Sequence, residues 1–212
     1  MSTFAYKDFE WRTAEAGDGE SGVGLARIFI DKVKALKDVK SICDLACGNG
    51  FITGHLASLG YKTVGVDASE TGIRIATRQY PASRFVMAQI DSNLANRFEP
   101  HQFDLVISSD AIEHFYCPSD LLRAAVLLLK PNGHLLLGTP YHGYLKNLLL
   151  SVSGKMDNHF NALQDGGHIK FFSVKTLSEL VRSFGFTDLD FTFYGRAPWL
   201  WKNMICSARW PG

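Results

Sequence analysis

From residue 41 onward the chain alternates short apolar runs with helical stretches, and this rhythm limits its fold more than any other feature. SICDLA (41–46), KTVGVD (62–67), SRFVMAQ (83–89), FDLVISS (103–109) and HLLLGTP (134–140) read as strands. FITGHLASLG (51–60), SETGIRIATRQY (69–80) and SDLLRAAVLLLK (119–130) carry helical spacing between them. Gly60 closes the first of these helices, and Ser69 caps the second, which ends before Pro81. Ser119 is the expected cap of the third, and PNG (131–133) reads as a turn. Strands of this kind, separated by helices, run parallel and are covered on both faces.

The last part of the chain breaks the rhythm. After the helical SVKTLSELVRSFGF (173–186), TDLDFTFYG (187–195) and WLWKNMICSARW (199–210) are joined by only three residues, RAP. So short a connection forces antiparallel pairing. The expected fold is therefore α/β: a doubly wound, Rossmann-like, seven-stranded, mostly parallel sheet with a reversed final strand. Ahead of it, LARIFIDKVKAL (25–36) places Leu25, Ile28, Phe29, Val33 and Leu36 on one helical face. The reading is a single domain over 1–212, with an N-terminal helical cap at about 1–38.

Composition narrows the function. Lys and Arg number 22 against 21 Asp and Glu, a formal charge of +1, so no chain-wide positive field exists to gather nucleic acid. The four cysteines (Cys43, Cys47, Cys117, Cys206) show no C-x-x-C pairing, which points to reduced core thiols and a cytoplasmic setting rather than a disulfide scaffold or zinc site. No signal peptide is visible, and LLRAAVLLL is too short to span a bilayer, so no integral membrane segment is expected.

The first strand runs into DLACGNG (44–50), a glycine turn opening a helix. A dinucleotide fingerprint needs a third glycine where Thr53 stands, and a phosphate loop needs Gly-Lys-Ser/Thr, which does not follow. Asp44, just ahead of the turn, would repel a pyrophosphate but suits a ligand with a cationic amino group. Asp67 ends the second strand, 23 residues on, where a carboxylate can accept both hydroxyls of a ribose or simply cap the helix from Ser69. Asp91 follows the third strand, within reach of an adenine amino group or loose in a loop. The turn favours a nucleoside with a positive tail.

Taken in order, DLACGNG, VGVDAS, AQIDS, FDLVISSDAIEHF and LLKPNGHLLLGTP resemble the class I S-adenosylmethionine-dependent methyltransferases from about Arg27 to Pro140. Within that class they look most like the quinone-biosynthesis O-methyltransferases and their small-molecule relatives. Ala46 stands in place of the first glycine of the usual motif. The resemblance implies S-adenosyl-L-methionine as cofactor, leaving S-adenosyl-L-homocysteine as product. It implies that Asp44, Ala46, Gly48 and Gly50 line the methionine and ribose, Asp67 and Ala68 the ribose, and Ile90 and Asp91 the adenine. Ser109 would meet the methionine amino end through its backbone, and Arg27 falls where such relatives keep an arginine for the cofactor carboxylate.

An oxygen acceptor must lose a proton, commonly to histidine or carboxylate. Residues 141–172 follow the fifth strand, where relatives insert a substrate lid, and hold His142, His159, His168 and the Gly166–Gly167 pair. His142 and His168 are the candidate bases, and His114 of the Glu-His pair is a third whose role is equally well structural. A metal site at Asp157, His159 and His168 matches no ligand spacing, so none is expected. LKNLLLSV (145–152) could lie on a membrane surface, a peripheral contact at most. The expected partner is a small-molecule methyl acceptor, with oxygen ahead of nitrogen, sulfur or carbon. A nicotinamide oxidoreductase and a cofactor-binding scaffold without transferase activity are the rivals.

Overall fold

The computed structural model describes residues 10, 11, 23–160 and 162–212. Most of the expected N-terminal cap lies outside them. Seven strands, β1 (Ser41–Leu45), β2 (Lys62–Asp67), β3 (Arg84–Met87), β4 (Phe103–Ser109), β5 (Leu129–Pro140), β6 (Thr187–Tyr194) and β7 (Asn203–Trp210), form one sheet. Their order is β3-β2-β1-β4-β5-β7-β6. β1 pairs parallel with β2 and β4, β2 with β3, and β4 with β5, whereas β7 runs antiparallel to both β5 and β6. The reversed strand is thus the last in sequence and slots between β5 and β6.

Alternation along the strands builds a core on each face. Ile42, Leu105, Ile107, Leu136 and Ile205 pack with Leu25, Phe29 and Val33 of α1 (Val23–Ala35) and Leu56 of α2 (Phe51–Ser58). Their strand neighbours Cys43, Leu45, Val106, Leu135, Leu137 and Met204 face the other way. They meet Leu121, Leu122 and Leu128 of α4 (Pro118–Leu128) and Leu177 and Val181 of α7 (Val174–Ser183). Period-two burial in the strands and a two-sided apolar demand explain why helices cover both faces. Ser69 caps α3 (Glu70–Gln79) as expected, its hydroxyl accepting the Gly72 N–H at 3.1 Å.

Three local expectations need correction. Ser119 does not cap α4, because Pro118 already fills the first turn, where its fixed φ suits a helix. PNG is no free turn but lies inside β5, where the register with β4 jumps from Phe103↔Leu129 to Leu105↔His134 and Asn132 takes φ 65°. The last strand begins at Asn203 rather than 199, since Trp201 turns aside to stack on Phe193 at 4.0 Å. Residues 141–172 hold two short helices, α5 (Tyr144–Val152) and α6 (Met156–His159). No helix among the described residues is long and apolar enough to cross a membrane.

Candidate active site

The parallel register aligns the carboxyl ends of β3, β2, β1 and β4, and the glycine turn rises from the middle of that row. Ala46, Gly48 and Gly50 all take positive φ (60°, 56° and 77°), a conformation that costs Ala46 about 1–2 kcal/mol because of its Cβ. A Cβ at Gly50 would fall 2.6 Å from that of Ala76 and 2.8 Å from the Phe85 ring, so only glycine lets α2 start there. One at Gly48 would run into the ring of Trp11.

Two carboxylates hold the turn. Asp67 accepts the Gly48 N–H on Oδ2 at 2.8 Å and the Ser69 N–H on Oδ1 at 2.7 Å. It therefore both caps locally and ties β2 to the turn. Asp44 is buried and accepts a 2.6 Å bond from the Thr53 hydroxyl. Burial pushes its pKa up to about 7, with the Thr53 bond opposing and the Asp67 charge adding to the rise. The residue that breaks the dinucleotide fingerprint, Thr53, is thus the one that ties α2 to β1.

The other expected cofactor residues stand along the same rim. Ala68 follows β2, half-buried Asp91 and buried Ile90 follow β3, and Ser109 ends β4. Arg27 is exposed on α1. Trp11, which the sequence did not single out, donates its backbone N–H to Thr71 Oγ1 at 3.0 Å and lays its ring over Gly48 and Gly72.

Beyond β4 a second group assembles. Glu113, 1% exposed, sits in a single 3-10 turn (Ile112–His114) and accepts a 2.9 Å bond from Thr139 on Oε2. Its Oε1 has no hydrogen-bond partner and lies 3.9 Å from His168 Nε2. The Glu113 carbonyl accepts the Ile169 and Lys170 N–H groups, each at 2.9 Å. His114 Nδ1 lies 2.8 Å from the Gly166 carbonyl and so donates to it. Burial, then the charge of Asp110, lifts Glu113 to about 8, against the pull of its backbone and Thr139 bonds. Burial and His114 drive His168 down to about 4. Both shifts disfavour charge, on the carboxyl as on the imidazole.

His142 belongs to a neighbouring cluster. Its backbone N–H reaches the Phe172 carbonyl at 3.0 Å, and its ring lies 5.0 Å from those of His159 and Phe171. Burial first, then the Lys146 charge, lowers His142 and His159 each to about 4. The candidate bases therefore divide: His114 and His168 meet at Glu113 with ring centroids 4.8 Å apart, and His142 packs with His159. Glu113, His114 and His168 also offer ligand atoms within 4.8 Å of one another, the set among the described residues that could share a metal ion. The spacing argument considered His168 with Asp157 and His159 instead; contacts across more than fifty residues, such as His114 to Gly166, leave no spacing to read.

Comparison with known proteins agrees with this geometry. The family model described as "Methyltransferase domain" matches residues 24–190. The chain belongs to that family. Ubiquinone biosynthesis O-methyltransferase of Ralstonia nicotianae is 29% identical over 150 residues, 69% of this chain and 62% of that protein. The enzyme of the same name from Roseobacter denitrificans is 30% identical over 166 residues, 76% of this chain and 66% of that protein. The match thus spans a little under two thirds of each relative's length. A SAM-dependent methyltransferase from Archaeoglobus fulgidus superposes with TM-score 0.66 at 14% identity, covering 87% of this chain and 92% of that one. This methyltransferase domain thus has the fold of the class, with the reversed strand in its place.

Proposed function

We propose that the protein transfers the methyl group of S-adenosyl-L-methionine to an oxygen of a small molecule. The observation that carries this reading is the pair of carboxylates on the glycine turn, Asp67 bonded to the Gly48 N–H and Asp44 buried beneath it. The charge on Asp67 and the buried carboxyl of Asp44 oppose a pyrophosphate and favour a ribose beside a cationic ammonium, which would itself draw Asp44 into its ionised form. The names of the ubiquinone-type relatives support oxygen as the acceptor atom. Ala46, Gly48 and Gly50 would lie against the methionine and ribose, Asp67 and Ala68 at the ribose, Ile90 and Asp91 at the adenine, and Ser109 at the amino end. Arg27, exposed on α1, would meet the carboxylate.

When bound, the cofactor supplies an activated methyl group, so the protein has three tasks: to align the acceptor, exclude water and take a proton. Residues 141–172 form the lid in this reading, over a single catalytic domain. The acceptor oxygen would lie near Glu113, His114 and His168, facing the methyl group that the bound cofactor would supply, and would give up its proton as it takes that methyl. Its proton passes to neutral His168 or, once Glu113 is ionised, to the Glu113–His168 pair. His142 shapes the pocket wall through its aromatic neighbours. Tyr144, Leu145, Leu148, Leu149 and Val152 are exposed along α5, an apolar strip suited to peripheral contact with a membrane or a greasy acceptor. A cytoplasmic setting accords with four unpaired cysteines.

The test is transfer of labelled methyl from the cofactor to a panel of phenols, quinols, amines and thiols. Product on a hydroxyl supports the reading. Product only on nitrogen or sulfur overturns the choice of oxygen, and cofactor binding without any transfer points to a scaffold.

A further inference from the structure

Lys146 is the least compensated cation of the site. It sits in the first turn of α5, six residues past Pro140 at the end of β5, with 2% of its surface exposed. Its one recorded hydrogen bond goes to a neutral group, the Tyr141 carbonyl, at 2.6 Å. Among the described residues no carboxylate lies within ion-pair distance of its Nζ. Burial lowers its pKa to about 8, and the one charge that adds to the shift has the wrong sign: exposed Arg196, in the connection between β6 and β7. Around it, His159 Nε2 is buried without a partner, and the buried side chains of His142 and Asn147 have only each other. An ammonium withdrawn from water is costly unless a counter-charge completes it.

We infer that Lys146 anchors a carboxylate carried by the methyl acceptor, with Arg196 at the solvent side steering it in. The inference rests on reading the chain as a small-molecule methyltransferase. It adds that the acceptor is a hydroxy acid, its hydroxyl at Glu113 and His168 beyond β4 and its carboxylate beyond β5. The rings of Phe160 and Phe171, 4.5 Å apart beside His142, favour an aromatic body between the two groups.

The experiment compares 3-hydroxybenzoate with its neutral partner 3-hydroxybenzyl alcohol on full-length protein saturated with S-adenosyl-L-homocysteine, by calorimetry at pH 7. Titration of the nucleoside alone comes first, so a failed cofactor reading shows there and a failed carboxylate subsite shows in the second step. The wild type should hold the acid about 10-fold tighter than the alcohol, the usual scale of a charge-assisted bond. Lys146→Met should erase that preference, Lys146→Arg should keep most of it, and nucleoside affinity should not move in either. Arg196→Gln should weaken the acid about two- to threefold and flatten its salt dependence. Equal affinity for acid and alcohol in the wild type overturns the inference, as does a preference that survives in Lys146→Met. So does failure of every carboxylate in a panel of aryl and alkyl acids to bind.

Discussion

The two ends of the same sheet treat polar groups in opposite ways. At the amino end, Asp104 opens β4 beside β1 and β5 and is fully engaged. It accepts the Lys40 and Ser41 N–H groups at 2.9 Å each and the Lys130 ammonium at 2.6 Å. Burial works against its charge, but the Lys130 bond and those backbone donors prevail and hold its carboxyl down at about 2. At the carboxyl end, burial lifts Asp44 to about 7 and Glu113 to about 8. The buried side-chain atoms left without a well-formed hydrogen bond among the described residues lie on Ser108 and Glu113 near the end of β4, on His142, Asn147 and His159 in the segment after β5, and on Asn203. Asn203 belongs with them because antiparallel β7 starts opposite Pro140. One end stabilises the fold. The other keeps hydrogen-bonding capacity unspent, as a binding site must.

This contrast breaks if substitutions at the two ends behave alike. The largest effect should come from the proton acceptor: His168→Ala lowers turnover about 10²–10⁴-fold with cofactor affinity little changed, and His142→Ala has a smaller effect, seen as a raised KM. Steady-state kinetics across pH 6 to 9 check both. Wild-type kcat should rise as pH passes about 8 and Glu113 releases its proton, and that limb should vanish in Glu113→Gln. A wild-type profile flat from 6 to 9 contradicts a role for the carboxyl. Next, Asp67→Ala should weaken cofactor binding by roughly 2–4 kcal/mol through loss of charge-assisted bonds. Gly48→Val should block binding sterically, since that Cβ would already meet Trp11.

The smallest effect belongs to the amino end. Asp104→Asn should cost about 1 kcal/mol of stability and leave turnover unchanged, the gain being screened because Lys130 is 44% exposed. The sign follows from the lowered pKa: Asp104 stabilises the fold above its ordinary value of 3.8 and loses that contribution as pH falls toward about 2. Denaturant midpoints at pH 7 and pH 2.5 measure it. A difference between wild type and variant that grows on acidification would contradict the assignment.

Much of the fold could be read because its signals are local. KTVGVD and FDLVISS match β2 and β4 residue for residue, and the short stretch around RAP announced the reversed pairing, although the connection runs over 195–202. The register jump in β5 could not be read, because PNG has turn chemistry and only the neighbouring β4 draws it into the sheet. In the site, the turn and Asp67 were legible for the same reason: glycines and a carboxylate at fixed offsets from strand ends. Trp11, Glu113 and Lys146 were not. Trp11 reaches Thr71 across 60 residues, and Thr139 reaches Glu113 across 26. Lys146 looked like an ordinary helix cation until folding buried it. Histidines drew attention by type, yet only the folded chain separates His168, facing Glu113, from His142, set among aromatic rings.

The central claim is that the row of strand ends around Asp44, Gly48, Gly50 and Asp67 holds S-adenosyl-L-methionine. Calorimetric titration of the purified protein with S-adenosyl-L-homocysteine and, separately, with NAD tests it most directly. The account predicts near-micromolar binding of the methionine nucleoside, about −8 kcal/mol, and no heat from NAD. Binding of NAD with none of the nucleoside would contradict it.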